Sequence, residues 1–149
     1  MSRLLGLDYG QKRIGLALSD PTRTIASPLT TLIRRVGKRP PWPAIGRIVE
    51  ENQVVAAVIG LPLGLDGEEG EWAEEVRRFG DEFTRRLELP VHWIDERLSS
   101  VRAEQAIRSL GLKRAQREDK SRVDAAAAAL ILQAFLDRDS RQRDDEAER

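Results

Sequence analysis

Apolar segments alternate with short polar turns along the first third of the chain, and this pattern is typical of short β-strands. Arg3–Asp8 is apolar on both faces until its last residue, an aspartate, as expected for a strand in the middle of a covered sheet. Arg13–Ser19 predicts a second strand, and the polar turn between the two favours an antiparallel hairpin. The third candidate strand, Ile25–Leu32, contains Pro28 and is therefore expected at a sheet edge.

After the third strand, helical and strand-like spacings of apolar residues alternate. They predict a helix over Ala44–Asn52, a buried parallel strand over Val54–Ile59, an amphipathic helix over Glu71–Glu88 and a strand over Val91–Leu98. The inward side of the second helix is expected to carry Trp72, Val76, Phe79, Phe83 and Leu87. The remaining predicted segments are a helix from Ser99 or Ser100 to Leu110, a charged loop at Lys113–Lys120, and a last helix from Ser121 to about Asp137.

This order of elements predicts an α/β fold. Its mixed five-stranded sheet would combine an antiparallel hairpin, an edge strand and then parallel strands, with helices flanking the sheet. Five consecutive alanines make the last helix thin enough to pack closely against such a sheet. Residues 1–137 are expected to form this single domain. Residues 138–149 carry charges of both signs without an apolar anchor, so a disordered tail is expected there.

Composition narrows the chemistry that the domain can perform. The 149-residue chain has 25 basic and 25 acidic residues, so any binding of nucleic acid must come from a local basic patch. Cysteine is absent and His92 is the lone histidine, which removes thiolate chemistry and multi-histidine metal sites. A bound metal would have carboxylate ligands and would therefore be Mg²⁺ or Mn²⁺. The lack of cysteine, of a membrane-spanning run and of a signal peptide predicts a cytoplasmic protein.

Carboxylates recur where the predicted elements begin or end. Asp8 ends the first strand, Asp95 and Glu96 lie at the end of the last strand, and Asp124 opens the last helix. The carboxyl ends of the parallel strands share one sheet edge, and a helix packed across that edge would bring its first turn close. Three carboxylates within about 5 Å repel unless a divalent cation lies among them, and such a site can activate water for phosphodiester cleavage. Since neighbouring strand residues face opposite sides, we expect Glu96 rather than Asp95 to face the site.

Each of these acids also has a purely structural explanation. Asp8 could bond the amides of the following turn, and Glu96 could form a surface ion pair with Arg97. The segment Ser121–Asp124 has the spacing of a helix capping box. Only the joint placement of three acids at one sheet edge favours a catalytic, metal-binding role over these structural explanations. The basic residues that would then flank the site and could neutralise phosphates are Lys12, Arg13, Lys120 and Arg122.

Four sequence blocks, taken together in order and spacing, resemble one family. They are Leu7–Gly10 with Lys12–Asp20, Gly60–Pro62 with Asp66-Gly67, Asp95–Ser99, and Lys120–Asp124 with the alanine-rich segment that follows. This combination resembles the YqgF-type (RuvX) bacterial proteins, described as Holliday junction resolvases and as nucleases that mature the 16S ribosomal RNA precursor. Those proteins are similar to RuvC resolvases, so the resemblance implies a ribonuclease H-like fold.

The resemblance implies a divalent-metal-dependent nuclease whose catalytic residues and metal ligands are Asp8, Glu96 and Asp124. RuvC resolvases usually carry a second acid three residues further along the last helix, where this chain has Ala127. That departure leaves a site of three acids and weakens the case for specific junction resolution. The best candidates for a basic groove that binds nucleic acid are Lys113, Arg114, Arg117, Lys120 and Arg122.

Three functions compete at this point. The first is a Mg²⁺- or Mn²⁺-dependent nuclease acting on the 16S ribosomal RNA precursor or, alternatively, on Holliday junctions in DNA recombination and repair. The second is a non-catalytic nucleic-acid-binding module of ribosome biogenesis, which would gain nothing from three converging negative charges. The third is an actin- or sugar-kinase-like ATPase, but such enzymes enclose a nucleotide between two domains. The expected partner is nucleic acid, and no association with a membrane is expected. The protein is expected to be a monomer or a homodimer.

Overall fold

The computed structural model describes residues 2–34, 39–98 and 116–147, with side chains in the last range from residue 123 onward. The predicted helix from Ser99 or Ser100 to Leu110 lies outside these ranges, as do Lys113 and Arg114.

Five strands form one mixed sheet in the order β3-β2-β1-β4-β5. β1 (Arg3–Tyr9) and β2 (Arg13–Ser19) form the antiparallel hairpin, and β3 (Ala26–Ile33) pairs antiparallel with β2 at the sheet edge. β4 (Val54–Leu61) lies parallel to β1, and β5 (Val91–Asp95) lies parallel to β4. The predicted combination of hairpin, edge strand and parallel strands is therefore confirmed.

Helices cover both faces of the sheet. α1 (Trp42–Glu51) and α2 (Glu71–Leu87) pack on one face, where leucines, isoleucines and phenylalanines fill the core. The other face is covered by α3 (Gln116–Ala147), which buries alanines together with Ile131, Leu132 and Leu136. In the described part of the chain, no helix has an apolar stretch that could cross a membrane.

The last strand is shorter than predicted. β5 ends at Asp95, the partner of Leu61, and a 3-10 turn (Glu96–Leu98) replaces the predicted continuation to Leu98. β4 ends at Leu61, and the Pro62 that follows has no backbone N–H to donate to a longer β5. The Arg97 amide instead donates a hydrogen bond to the Asp95 carboxylate at 2.9 Å, and this bond stabilises the turn.

The last helix is longer than predicted at both ends. The structure is helical from Gln116, inside the predicted charged loop, and remains helical to Ala147. The whole segment contains neither glycine nor proline, and oppositely charged side chains one turn apart can pair on the helix surface. The pair Asp139–Arg143, four residues apart at 3.5 Å, is one example. The division into a domain at residues 1–137 and a separate tail stays a prediction.

Candidate active site

Asp8, Glu96 and Asp124 line one open cavity of about 400 Å³ at the end of the sheet. Asp8 comes from β1, Glu96 from the turn after β5, and Asp124 from α3. The other residues that line this cavity are Tyr9, Gly10, Gln11 and Trp72. Three separate parts of the chain therefore bring a carboxylate to the same concave surface.

The strand period places Asp8 on the α3 face of the sheet. Leu5, Leu7 and Tyr9 of β1 belong to the core beneath α1 and α2, so the alternate residue Asp8 points to the opposite side. Its cross-strand partner on β2 is Gly15. A side chain at Gly15 is excluded, because its Cβ would lie 2.0 Å from the backbone oxygen of Asp124. This glycine therefore lets the backbone of α3 pass directly over β2, beside Asp8.

A second close approach positions Glu96. Gly60 follows Ile59, the partner of Leu7 in the parallel pairing of β1 and β4, and so lies next to Asp8 along the sheet. A Cβ at Gly60 would meet the Cγ of Glu96 at 2.9 Å. The side chain of Glu96 therefore lies against the strand at Gly60, in space that a larger residue would occupy.

The environment of Asp8 disfavours its negative charge. Burial, followed by the charges of Glu96 and Asp124, raises the pKa of Asp8 from 3.8 to about 7. In the part of the chain that the structure describes, no hydrogen bond to the Asp8 carboxylate offsets these effects, and the Gly10 amide donates to the Arg13 carbonyl at 2.9 Å instead. Asp8 is thus not a turn-capping residue here, and a cation in the cavity would remove the penalty on its ionised form.

Asp124 is held by an arginine. The Nε of Arg13 on β2 donates to the carboxylate of Asp124 on α3 at 2.7 Å, and both side chains are partly exposed. The capping-box explanation of Asp124 is wrong, because the helix already begins at Gln116 and Ser121 lies within it. The sequence predicted that Asp124 opens the last helix. In the structure Asp124 lies two turns inside that helix.

The three acids share a cavity without forming a coordination shell. Among residues 2–34, 39–98 and 116–147, no group of three or more Asp, Glu or His side chains is arranged to hold a metal ion. The guanidinium of Arg13 pairs with Asp124, so it competes with an ion for that carboxylate. The donor set of three carboxylates nevertheless fits a hard divalent cation.

Asp95 serves a different purpose from Glu96. It does not line the cavity, and its carboxylate accepts from the Arg97 guanidinium at 2.6 Å. Arg97 in turn donates to the backbone oxygen of Leu65 at 3.2 Å. The surface ion pair considered for Glu96 and Arg97 is thus formed by Asp95 and Arg97. These two residues connect the end of β5 to the glycine-rich loop at residues 62–70, between β4 and α2.

The predicted basic residues are only partly placed. Lys12 is exposed at the tip of the hairpin, and Arg13 pairs with Asp124 as described. Arg117, Lys120 and Arg122 lie on α3, but their side chains are outside the described part of the chain. A nucleic-acid-binding role for this group, with Lys113 and Arg114, stays a prediction.

Trp72, like Tyr9, Gly10 and Gln11, lines the cavity although the sequence did not predict it for the site. Its helical spacing assigned it correctly to the inward side of α2, yet it is half-buried and lines the cavity beside the acids. The next inward residues, Ala73 and Val76, are almost fully buried. A helical period shows which side of the helix a residue occupies, but not that its side chain also lines a cavity.

Comparisons with known proteins give one consistent family. A family model described as RuvX, Holliday junction resolvase, matches residues 2–138. A Roseiflexus protein named as a candidate pre-16S rRNA nuclease is 45% identical over 135 residues, covering 91% of this chain and 94% of that protein. A protein of the same name from Anaeromyxobacter is 44% identical over 136 residues, with coverages of 91% and 97%.

One solved structure supports the fold. Thermus thermophilus RuvC in complex with a Holliday junction substrate superposes with a TM-score of 0.53 at 17% identity, covering 91% of this chain and 94% of that one. A likeness at this identity concerns the fold alone, and it confirms the predicted ribonuclease H-like arrangement.

Proposed function

Since this chain belongs to the RuvX family and is a nuclease, we propose that Asp8, Glu96 and Asp124 are its catalytic residues and its ligands for Mg²⁺ or Mn²⁺. One observation carries this proposal: carboxylates from β1, the turn after β5 and α3 line a single cavity. Only a bound cation gives this costly arrangement of negative charge a purpose, because a surface that merely binds phosphate would be basic.

Each residue of the site has a defined task in this proposal. Bound divalent cations would polarise the scissile phosphate and lower the pKa of water at neutral pH. Asp8, between the other two acids on a rigid strand, would hold the cations in place, and Glu96 and Asp124 would complete the set of oxygen ligands. Arg13 lies beside Asp124 and supplies positive charge next to the phosphate that is cleaved.

The proposed substrate is the precursor of 16S ribosomal RNA. Its support is the name shared by relatives that are 40–47% identical over nine-tenths of this chain. The second candidate substrate is the Holliday junction, which the description of the family favours. Ala127, where RuvC resolvases usually have a further acid, favours the ribosomal RNA over the junction.

The decisive experiment is cleavage of both candidate substrates side by side. The protein is incubated with a 16S precursor fragment and with a four-way DNA junction, each with Mg²⁺, Mn²⁺ or EDTA. We expect cleavage of the precursor with either metal, no cleavage in EDTA, and a loss of at least about a hundredfold in rate for Asp8→Asn. Asp81→Asn is the matched control, since Asp81 is an exposed acid on α2 outside the cavity.

Two outcomes would contradict the proposal. Unchanged cleavage by Asp8→Asn would remove the proposed active site, and cleavage of the junction alone would replace the ribosomal substrate with the second candidate.

The proposed cellular location and oligomeric state follow from the proposed substrate. Bacterial ribosomal RNA is made and trimmed in the cytoplasm, so we place the activity there. A cut in one RNA strand needs a single active site, whereas symmetric cleavage of a junction needs two, held in a homodimer. Measurement of the molar mass in solution, with and without each nucleic acid, separates the monomer from the homodimer.

A further inference from the structure

Trp72 belongs both to the edge of the core and to the wall of the cavity. It lies in the first turn of α2, directly after the glycine-rich loop, and its side chain is half-buried in the wall of the cavity. Ala73, Val76, Phe79 and Phe83 of the same helix are almost fully buried, whereas Trp72 keeps part of its side chain exposed. The exposed part of the indole therefore offers an apolar surface in an acidic cavity.

A stack of rings holds this indole in a fixed orientation. Trp72 stacks on Tyr9 with a centroid distance of 5.5 Å, and Tyr9 stacks on Phe79 at 4.3 Å. Phe79 continues the contacts to Trp42 at 5.3 Å. All three pairs are within 25° of parallel. Because Tyr9 follows Asp8 on β1, the stack fixes Trp72 relative to the carboxylates.

The chemistry of the cavity identifies the ligand. Resting on the nuclease function proposed above, we propose that Trp72 is a stacking site for a nucleobase next to the scissile phosphate. When no cation is bound, the acids of the cavity repel the substrate backbone, so an uncharged stacking contact adds binding energy that these acids do not provide. An indole accepts any base, because each base has a π-face, and its contribution survives salt that screens phosphate contacts.

This stacking site should distinguish unpaired nucleotides from base-paired ones. A base in a continuous duplex already stacks on its neighbours, so only an unpaired or displaced base can lie on Trp72. The protein should therefore prefer nucleic acid with unpaired nucleotides beside the cut over a continuous duplex.

Binding without cleavage tests the proposal on the full chain. The probes are a labelled single-stranded oligoribonucleotide, the same strand in a blunt duplex, and single strands with one base at a time removed. Dissociation constants are measured by fluorescence anisotropy in EDTA and low salt, where the RNA remains intact. We expect Trp72→Leu to weaken single-strand binding about tenfold, while Trp72→Phe stays within about threefold of the parent and duplex binding is unchanged.

The control variant is Trp93→Phe, which alters an indole in β5 that lies beneath the Arg77 guanidinium rather than in the cavity. It should bind both RNAs as the parent does. A double-mutant comparison ties the effect to stacking: removal of one particular base should weaken the parent about tenfold but leave Trp72→Leu unaffected. The measurements on the parent need no variant, so they can still overturn the inference if Trp72→Leu fails to fold: single-strand binding that no base removal weakens excludes a stacked base.

Two results would overturn the inference: single-strand binding that no base removal weakens, or equal weakening of duplex and single strand by Trp72→Leu. Failure of the nuclease proposal looks different, because it removes metal-dependent cleavage and its dependence on Asp8 while base-dependent binding at Trp72 remains. If cleavage depends on Asp8 but binding ignores Trp72, the catalytic site stands and the stacking site falls.

Discussion

The two faces of the sheet are built from different kinds of side chain. Beneath α1 and α2 the strands contribute large apolar residues, namely Leu5, Leu7, Ile14, Leu16 and Ile59, all completely buried. Beneath α3 the strand positions are mainly small, and they include Gly6, Gly15, Ala17, Ala56 and Gly60, opposite the alanines of the helix. On the first face, called the thick face, large side chains separate the helices from the sheet. On the second, called the thin face, the backbones of helix and sheet lie close together.

This difference explains why the acids lie on the α3 face. A short carboxylate such as Asp8 reaches a neighbour on another element only where the elements approach closely. At Gly15 and at Gly60 they do so within the space that a methyl group would need. The face with large residues contributes most of the apolar burial that stabilises the fold, and the thin face positions the chemistry. Stability and catalysis should therefore be separable by mutation.

The largest expected effect is on the thick face and concerns stability. Phe83 of α2 is completely buried among the core residues. Phe83→Ala should lower the free energy of unfolding by about 3–5 kcal/mol through lost burial and the cavity left behind. Urea denaturation measures this change. The cleavage rate per folded molecule should stay within about twofold, because no residue of the catalytic cavity is touched. A large loss of rate in the folded fraction would show that the faces are not independent.

The next effect is on the thin face and concerns both properties. In Gly15→Ala the new methyl group would lie 2.0 Å from the Asp124 carbonyl oxygen, so α3 has to move away from β2. We expect the free energy of unfolding to fall by about 2–3 kcal/mol and the cleavage rate to fall at least tenfold, because Asp124 moves with the helix.

Gly46→Ala is the matched control for Gly15→Ala. A methyl group at Gly46 of α1 meets only the Cδ2 of Leu87, at 3.8 Å. The free energy of unfolding should rise by about 0.5–1 kcal/mol, since alanine is the better helix former, and the cleavage rate should be unchanged. Equal damage by both substitutions would remove the distinction between the faces.

The thick face was also the easier one to predict. Its strands and its two helices follow directly from the period of large apolar residues, as Val76, Phe79 and Phe83 illustrate. The ends of α3 were missed because Gln116–Lys120 and residues 138–147 are charged on every side and present no apolar period. The 3-10 turn at Glu96–Leu98 was missed because it depends on where the neighbouring strand ends.

The candidate site was predicted as a set of residues, but its contacts were not. The acids at the ends of elements could be identified from the sequence because the carboxyl ends of parallel strands lie at the same edge of a sheet. The structure brings Asp8, Glu96 and Asp124 to one cavity. The ion pair of Arg13 with Asp124 joins residues 111 positions apart, and only the packing of α3 at Gly15 creates it. Their catalytic role stays a proposal until Asp8→Asn has been measured.

A smaller effect concerns pH. The pKa of Asp8 is about 7 in the folded protein against an ordinary 3.8, so between these values the folded state holds a proton that the unfolded state has lost. Stability in EDTA should therefore fall as the pH rises from about 4 to about 7 and then level off. With allowance for partial exposure, the fall due to Asp8 should be about 2 kcal/mol between pH 5 and pH 8.

Asp8→Asn isolates this contribution, because asparagine does not titrate. The difference in unfolding free energy between variant and parent should favour the variant increasingly from pH 5 to pH 8, in urea denaturations with EDTA. Parallel pH profiles would mean that the surroundings of Asp8 do not penalise its charge.

The smallest expected effect on stability concerns the thin face again. Arg13 and Asp124 are both partly exposed, so their ion pair should stabilise the fold by no more than about 1 kcal/mol. Arg86→Gln is a fair control, since Arg86 pairs with Glu82 at 3.1 Å on α2. Both substitutions should therefore change the free energy of unfolding in EDTA by similar small amounts.

The two arginine variants should differ in their binding of Mn²⁺, measured by titration calorimetry. Arg13→Gln releases Asp124 from a competing cation, so the affinity for Mn²⁺ should rise about threefold or more, whereas Arg86→Gln should leave it unchanged. Weaker Mn²⁺ binding in Arg13→Gln would show instead that the guanidinium holds Asp124 in the position that an ion requires. In that case the pair on the thin face orients a ligand, and the surface pair on α2 remains a contact without a function.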